Sequence, residues 1–150
     1  MLNKNLKKYK FLPVERWRHF NLNFGRRNLF KTNQEKIRQQ VNDKNGLYVF
    51  KRGKEIIYIG KGKPLSGRLK SHNRASFEPV PGDTEYNTFH EFWSRKKNQD
   101  KMTIYWKEVE LENGRVSLEA MLAHILNPEF ETWRKRFLQK IFKKGLEQHD

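Results

Sequence analysis

Two phenols, a guanidinium, an imidazole and a carboxylate stand out in this 150-residue chain by their types and spacing. There is no cysteine, so thiol nucleophiles, disulfides and thiolate metal sites are excluded. None of the five histidines makes an H-E-x-x-H pair, and no G-x-x-x-x-G-K-[ST] phosphate loop occurs. The phenols are Tyr48, which ends Gly46-Leu47-Tyr48, and Tyr58, which begins Tyr58-Ile59-Gly60. Arg68 follows Gly60 by eight residues, and His72 comes four later, on the same face of a helix. Far downstream, Glu119 sits beside Leu118, Met121 and Leu122. Carboxylates are rarely buried unless paired or bound to a cation. Taken singly, the tyrosines read as sheet aromatics, Arg68 as a solvated helix residue and His72 as a surface or cap residue. Taken together, they offer a cationic fork suited to phosphate, several hydrogen-bonding groups and one carboxylate.

The elements that position these residues can be read from periodicity. Leu47–Phe50 and Glu55–Ile59 read as strands joined by a turn at Arg52-Gly53-Lys54, a hairpin that brings the tyrosines close. Residues 60–64 read as a loop, with Ser66 capping a helix to about Arg74. A helix over 32–41 is expected from Thr32 and Glu35, spaced as a capping box. Thr84 to about Asn98 has Tyr86, Phe89, Phe92 and Trp93 at near-helical spacing. Met102–Leu111 alternates as a third strand. Asn113-Gly114 reads as a turn before a helix capped by Ser117 and ended by Pro128, and a last helix runs from about Thr132 to Lys144. This order predicts an α+β fold, a small antiparallel sheet covered by helices.

Charge narrows the class of partner. Thirty-two Lys and Arg against seventeen Asp and Glu leave a net +15, spread along the whole chain. Such a surface repels itself unless a polyanion uses it, and nucleic acid is the leading candidate. The 13% aromatic content argues against disorder. No apolar run is long enough for a membrane span, and the charged start lacks the apolar middle of a signal peptide, so a cytoplasmic protein without membrane contact is expected. Residues 1–31 mix Phe11, Trp17, Phe20, Phe24 and Phe30 with cations. They read either as aromatics packed on the core or as an arm that tracks DNA.

The set Gly46-Leu47-Tyr48, Tyr58-Ile59-Gly60, Arg68, His72 and Glu119 in Leu118-Glu119-Ala120 resembles the GIY-YIG nuclease superfamily over roughly residues 46–131, with Leu47 in place of the isoleucine of the first tripeptide. The resemblance implies a central three-stranded antiparallel sheet flanked by helices. It implies hydrolysis of phosphodiester bonds with a divalent metal, Mg2+ or Mn2+, by a small stand-alone DNA endonuclease of restriction or phage type. Glu119 matches the metal-binding carboxylate, Arg68 the arginine at the scissile phosphate, and Tyr48 the tyrosine that activates or orients water. Tyr58 and His72 match the phenol and imidazole completing the site. Where several members have an amide, this chain has Glu131, with Asn127 nearby; either that role is altered or Glu131 faces solvent. A free phenol, with pKa ~10, is a weak base at neutral pH, so Tyr48 as base would need help from a metal-bound hydroxide, Lys61, Lys63 or His72.

Lys61, Lys63, Lys70 and Arg74 cluster around the same loop and helix and are the expected phosphate contacts on double-stranded DNA. The expected organisation is one compact domain: a basic aromatic arm and helix over 1–45, a catalytic core over 46–131 and a basic helix over 132–150. Cutting both strands requires a homodimer or successive nicks. The alternatives are a nucleic-acid-binding domain with weak catalysis and an RNA-processing nuclease.

Overall fold

The structure, a computed structural model, describes residues 12–82 and 87–149, the side chains as far as residue 146. Phe11, Thr84 and Tyr86, singled out above, lie outside them. Four strands form the sheet: β1 (Arg18–Asn23), β2 (Gly46–Arg52), β3 (Glu55–Gly62) and β4 (Lys101–Glu108). Among the described residues, five α-helices surround it: α1 (Phe30–Val41), α2 (Leu65–Ala75), α3 (Thr88–Trp93), α4 (Glu112–Leu126) and α5 (Glu129–His149). The strand order is β1-β4-β2-β3, with every pair antiparallel. The fold class is the expected α+β, but the sheet has four strands where three were expected. The extra strand comes from the N-terminal arm, where Phe20 and Leu22 point inward between His19, Asn21 and Asn23. As a six-residue edge strand among charged neighbours, it pairs along its full length with β4.

β2 is buried on both faces, which explains its run of four apolar residues, Leu47 to Phe50. Tyr48 and Phe50 face one core with Phe20, Leu22, Met102, Ile104 and Trp106. Ile37 and Val41 of α1, Leu65 and Leu69 of α2, and Phe92 and Trp93 of α3 close over it. Leu47, Val49 and Ile59 face the other way, against Val14, Trp17 and Leu122 of α4. Each large apolar side chain so buried contributes about 1.5–3 kcal/mol. Lys51 is buried on this second side because its ammonium meets Glu15 Oε1 at 2.6 Å and lies over the Tyr105 ring.

Several local expectations are corrected. Residues 60–62 continue β3 instead of forming a loop, because Gly60 and Gly62 pair with Tyr48 and Gly46. Helix α1 begins at Phe30 without a side-chain cap, and Glu35 instead pairs with Arg38. Ser66 lies inside α2, which follows Pro64. The third helix is shorter than the aromatic spacing suggested, spanning Thr88–Trp93. Asn113-Gly114 belongs to the first turn of α4, and Ser117 lies within that helix. What holds that turn is Arg115: its Nη1 donates to the carbonyls of Val109 at 2.9 Å and Glu110 at 2.6 Å. Asn127 ends α4 in a left-handed conformation, and Pro128 separates it from α5.

Candidate active site

The β2–β3 register explains the two tripeptides. Gly60 stands directly opposite Tyr48, and Tyr58 opposite Phe50. The tyrosines are therefore diagonal neighbours on one face of the sheet. Their rings lie nearly parallel, 17° apart in plane, with centroids 6.0 Å apart. The Tyr48 ring lies across Gly60, where a Cβ would meet its Cζ and Oη at 2.3 Å. At Gly46 a Cβ would come within 2.0 Å of the Lys107 carbonyl oxygen on β4. Both glycines are thus required by close approach, one of a ring and one of a neighbouring strand.

Helix α2 brings Arg68 and His72 to the same end of the sheet. It is seated by a polar cluster in which Asn33 Nδ2 donates to Asn73 Oδ1 at 3.1 Å and Asn73 Nδ2 donates to Gln34 Oε1 at 3.1 Å. His72 lies under the sheet, 4% exposed, with Nε2 2.8 Å from the Tyr48 hydroxyl. On its other side, Trp93 Nε1 donates to His72 Nδ1 at 2.9 Å. The sequence offered Trp93 only as one aromatic in a helical series; its position beside His72 is a tertiary fact without a local signal.

A cleft of about 860 Å³ opens in front of these rings. Tyr58, Lys61, Lys63 and Arg68 line one wall, Arg115 and Glu119 of α4 another, and Phe130, Glu131 and Arg134 of α5 a third. Arg115 and Glu119 are four residues apart on one helical face, so the anchored first turn of α4 also aims the carboxylate. Lys70 and Arg74 are not among the residues lining this cleft. Lys70 adds to the positive field at Glu35 of α1, and Arg74 Nε lies 3.5 Å from Glu78. Tyr48, with no exposed surface, stands behind Tyr58.

The electrostatics follow from burial. Desolvation pushes the Tyr48 hydroxyl well above its ordinary pKa, with Tyr58 acting in the same direction and Arg68 opposing both. Desolvation likewise lifts Tyr58 to about 12. Burial, aided by the Arg68 charge, lowers His72 to about 3, so the imidazole is neutral at physiological pH. Glu119 is half-buried, and desolvation raises its pKa while Lys61 and Arg68 oppose that rise and Glu131 adds to it. A carboxylate held in this way gains from a cation beside it.

Among the described residues, no group of three or more His, Asp or Glu could by itself hold a metal ion. Magnesium does not need such a cage, because it keeps several waters and binds through one or two carboxylates plus substrate phosphates. The half-buried carboxylate of Glu119, facing a cleft also lined by Lys61, Lys63 and Arg68, fits such a hydrated ion. No helix among the described residues is long and apolar enough to cross a membrane.

No family model matches the chain. It is similar to UvrABC system protein C of Fervidobacterium nodosum, 52% identical over 40 residues, which are 27% of this chain and 7% of that protein. With the same protein of Thermosipho africanus it is 59% identical over 32 residues, 21% of this chain and 6% of the relative. The matches therefore span less than a tenth of the length of these curated relatives. Among solved structures, the chain is similar to the GIY-YIG N-terminal endonuclease domain of UvrC from Thermotoga maritima bound to magnesium. That likeness has 28% identity, covers 64% of this chain and 96% of that domain, and has a TM-score of 0.43.

Proposed function

We propose that the chain is a divalent-metal-dependent endonuclease that hydrolyses phosphodiester bonds of double-stranded DNA. One observation carries this reading: Arg68, Lys61 and Lys63 line the same cleft as the carboxylate of Glu119 and the hydroxyl-bearing ring of Tyr58. The cations suit phosphate, and the desolvated carboxylate suits a hard cation shared with it. The solved Thermotoga maritima domain binds magnesium as its catalytic divalent cation, in keeping with such a role for Glu119.

In this reading Arg68 grips the scissile phosphate with its planar fork and stabilises the charge that builds on the phosphoryl oxygens. Lys61 and Lys63 hold the adjoining phosphates, while Lys70 and Arg74, off the cleft, serve phosphates further along the duplex. Glu119 would hold the metal, and a divalent cation there would supply the positive charge that polarises the phosphate and offsets the charge on the leaving oxygen. Tyr58 borders the cleft and stays protonated at neutral pH, so it orients the attacking water by hydrogen bonding instead of acting as a base. Tyr48 and His72 support it from behind. Cutting both strands takes two such clefts, as in a homodimer, or two successive nicks.

Incubation with a long DNA duplex and, in parallel, a structured RNA in magnesium, followed by sequencing of the ends, tests the proposal. Magnesium-dependent ends in the DNA are expected. Ends confined to the RNA would indicate an RNA-processing nuclease, and tight binding without ends would indicate a binding domain.

A further inference from the structure

We propose that Trp93 is a positioning residue that, through His72, fixes the direction of the hydrogen bond at the Tyr48 hydroxyl. An indole N–H can only donate. The 2.9 Å contact from Trp93 Nε1 to His72 Nδ1 therefore requires a lone pair on Nδ1. A neutral imidazole carries one hydrogen, which must then sit on Nε2. That atom lies 2.8 Å from the Tyr48 hydroxyl oxygen, so His72 donates and Tyr48 accepts.

Aromatic rings, which offer no lone pair to a ring nitrogen, make up much of the rest of the pocket. The remaining neighbours of the imidazole include the Phe50, Phe89 and Tyr58 rings, all packed edge-on to it. Trp93 is itself fully buried and held by the Phe24, Phe50 and Phe92 rings, while Gln99 Nε2 donates to its carbonyl at 3.0 Å. Protonating Nδ1 would set one N–H against another, in keeping with the low pKa of this imidazole.

The consequence is functional. His72 cannot serve as the group that takes a proton from Tyr48, because its only acceptor nitrogen faces Trp93. It is instead a fixed donor to the Tyr48 oxygen, and the hydroxyl hydrogen of Tyr48 is turned away from the imidazole. Trp93 touches no substrate; it acts by deciding which nitrogen of His72 bears the hydrogen.

The hydrogen-bond direction stands on the geometry alone, whereas its effect on rate rests on the nuclease reading. Long-range 1H–15N correlation spectra of the full chain with labelled histidine, at neutral pH, report the tautomer directly. The wild type is expected to show His72 protonated on Nε2 only. In Trp93→Phe that preference is expected to be lost. The kcat for DNA cleavage is expected to fall about 10–100-fold with little change in KM, by analogy with removal of a partner that orients a metal-ligating histidine. A wild-type spectrum showing Nδ1–H or the imidazolium overturns the proposal, whether or not the variant folds. A folded Trp93→Phe with the wild-type tautomer and kcat also overturns it. Absence of any cleavage by the wild type would count against the nuclease reading and leave the spectrum as the test of the hydrogen bond.

Discussion

A Cβ on Gly60 would stand 2.3 Å from the hydroxyl oxygen of Tyr48, so the ring reaches His72 only because residue 60 has no side chain. The contact is with the rigid end of a buried ring, which cannot swing aside. Gly60→Ala is therefore expected to displace Tyr48 and cost about 1–3 kcal/mol in overpacking. Chemical denaturation should show the loss of stability, and DNA cleavage should fall with it.

Arg115 links the loop after β4 to the carboxylate one turn further along α4. Its Nη1 satisfies the carbonyls of Val109 and Glu110, and the side chain is almost wholly buried. Arg115→Ala is expected to destabilise the chain by about 1.5–3 kcal/mol, the usual contribution of a hydrogen bond to a charged group. It should also weaken magnesium binding measured by calorimetry, because Glu119 loses its aim without being altered.

The imidazole of His72 sets a pH dependence of stability. Its pKa falls from the ordinary 6.5 to about 3 in the folded chain. Between these values the unfolded chain binds a proton that the folded chain refuses, so stability drops as the pH falls. Above about pH 6.5 the effect vanishes. Melting temperatures measured from pH 7 to pH 4 are expected to decline more steeply for the wild type than for His72→Gln.

In the proposed reading, Lys61 and Lys63 give the DNA affinity part of its dependence on salt. Each phosphate contact adds about 0.9 to the slope of log affinity against log salt. The double variant Lys61→Gln, Lys63→Gln is expected to bind duplex DNA with a slope shallower by about 1.8. An unchanged slope would take these lysines off the DNA.

Much of the site was legible in one dimension because β2, β3 and α2 are consecutive and local. Once Tyr48 and Tyr58 are placed on a tight hairpin, their approach follows from strand period alone, and Arg68 and His72 share a face of the next helix. Gly60 and Gly62 misled in the other direction, since they read as loop residues but lie in β3 to let Tyr48 and the start of α2 approach. Strand β1 was hidden, although Phe20 and Leu22 alternate with polar residues, because six residues among so many cations make a weak pattern. Asn113-Gly114 reads as a turn, yet Arg115 caps the preceding carbonyls and lets α4 begin before it. The role of Trp93 was invisible, because 21 residues separate it from His72. Contacts between distant segments, and glycines chosen for space instead of conformation, leave no local periodicity to read.

Glu119 carries the central claim. Burial raises its pKa, so the charge costs stability at neutral pH, and Glu119→Gln is expected to melt no lower than the wild type. Nicking of supercoiled plasmid DNA in magnesium by the wild type and by this folded variant is the most direct measurement. The account predicts nicking by the wild type and a loss of at least about 100-fold in Glu119→Gln, on the scale of removing a preorganised electrostatic group. Equal nicking by both proteins would contradict it.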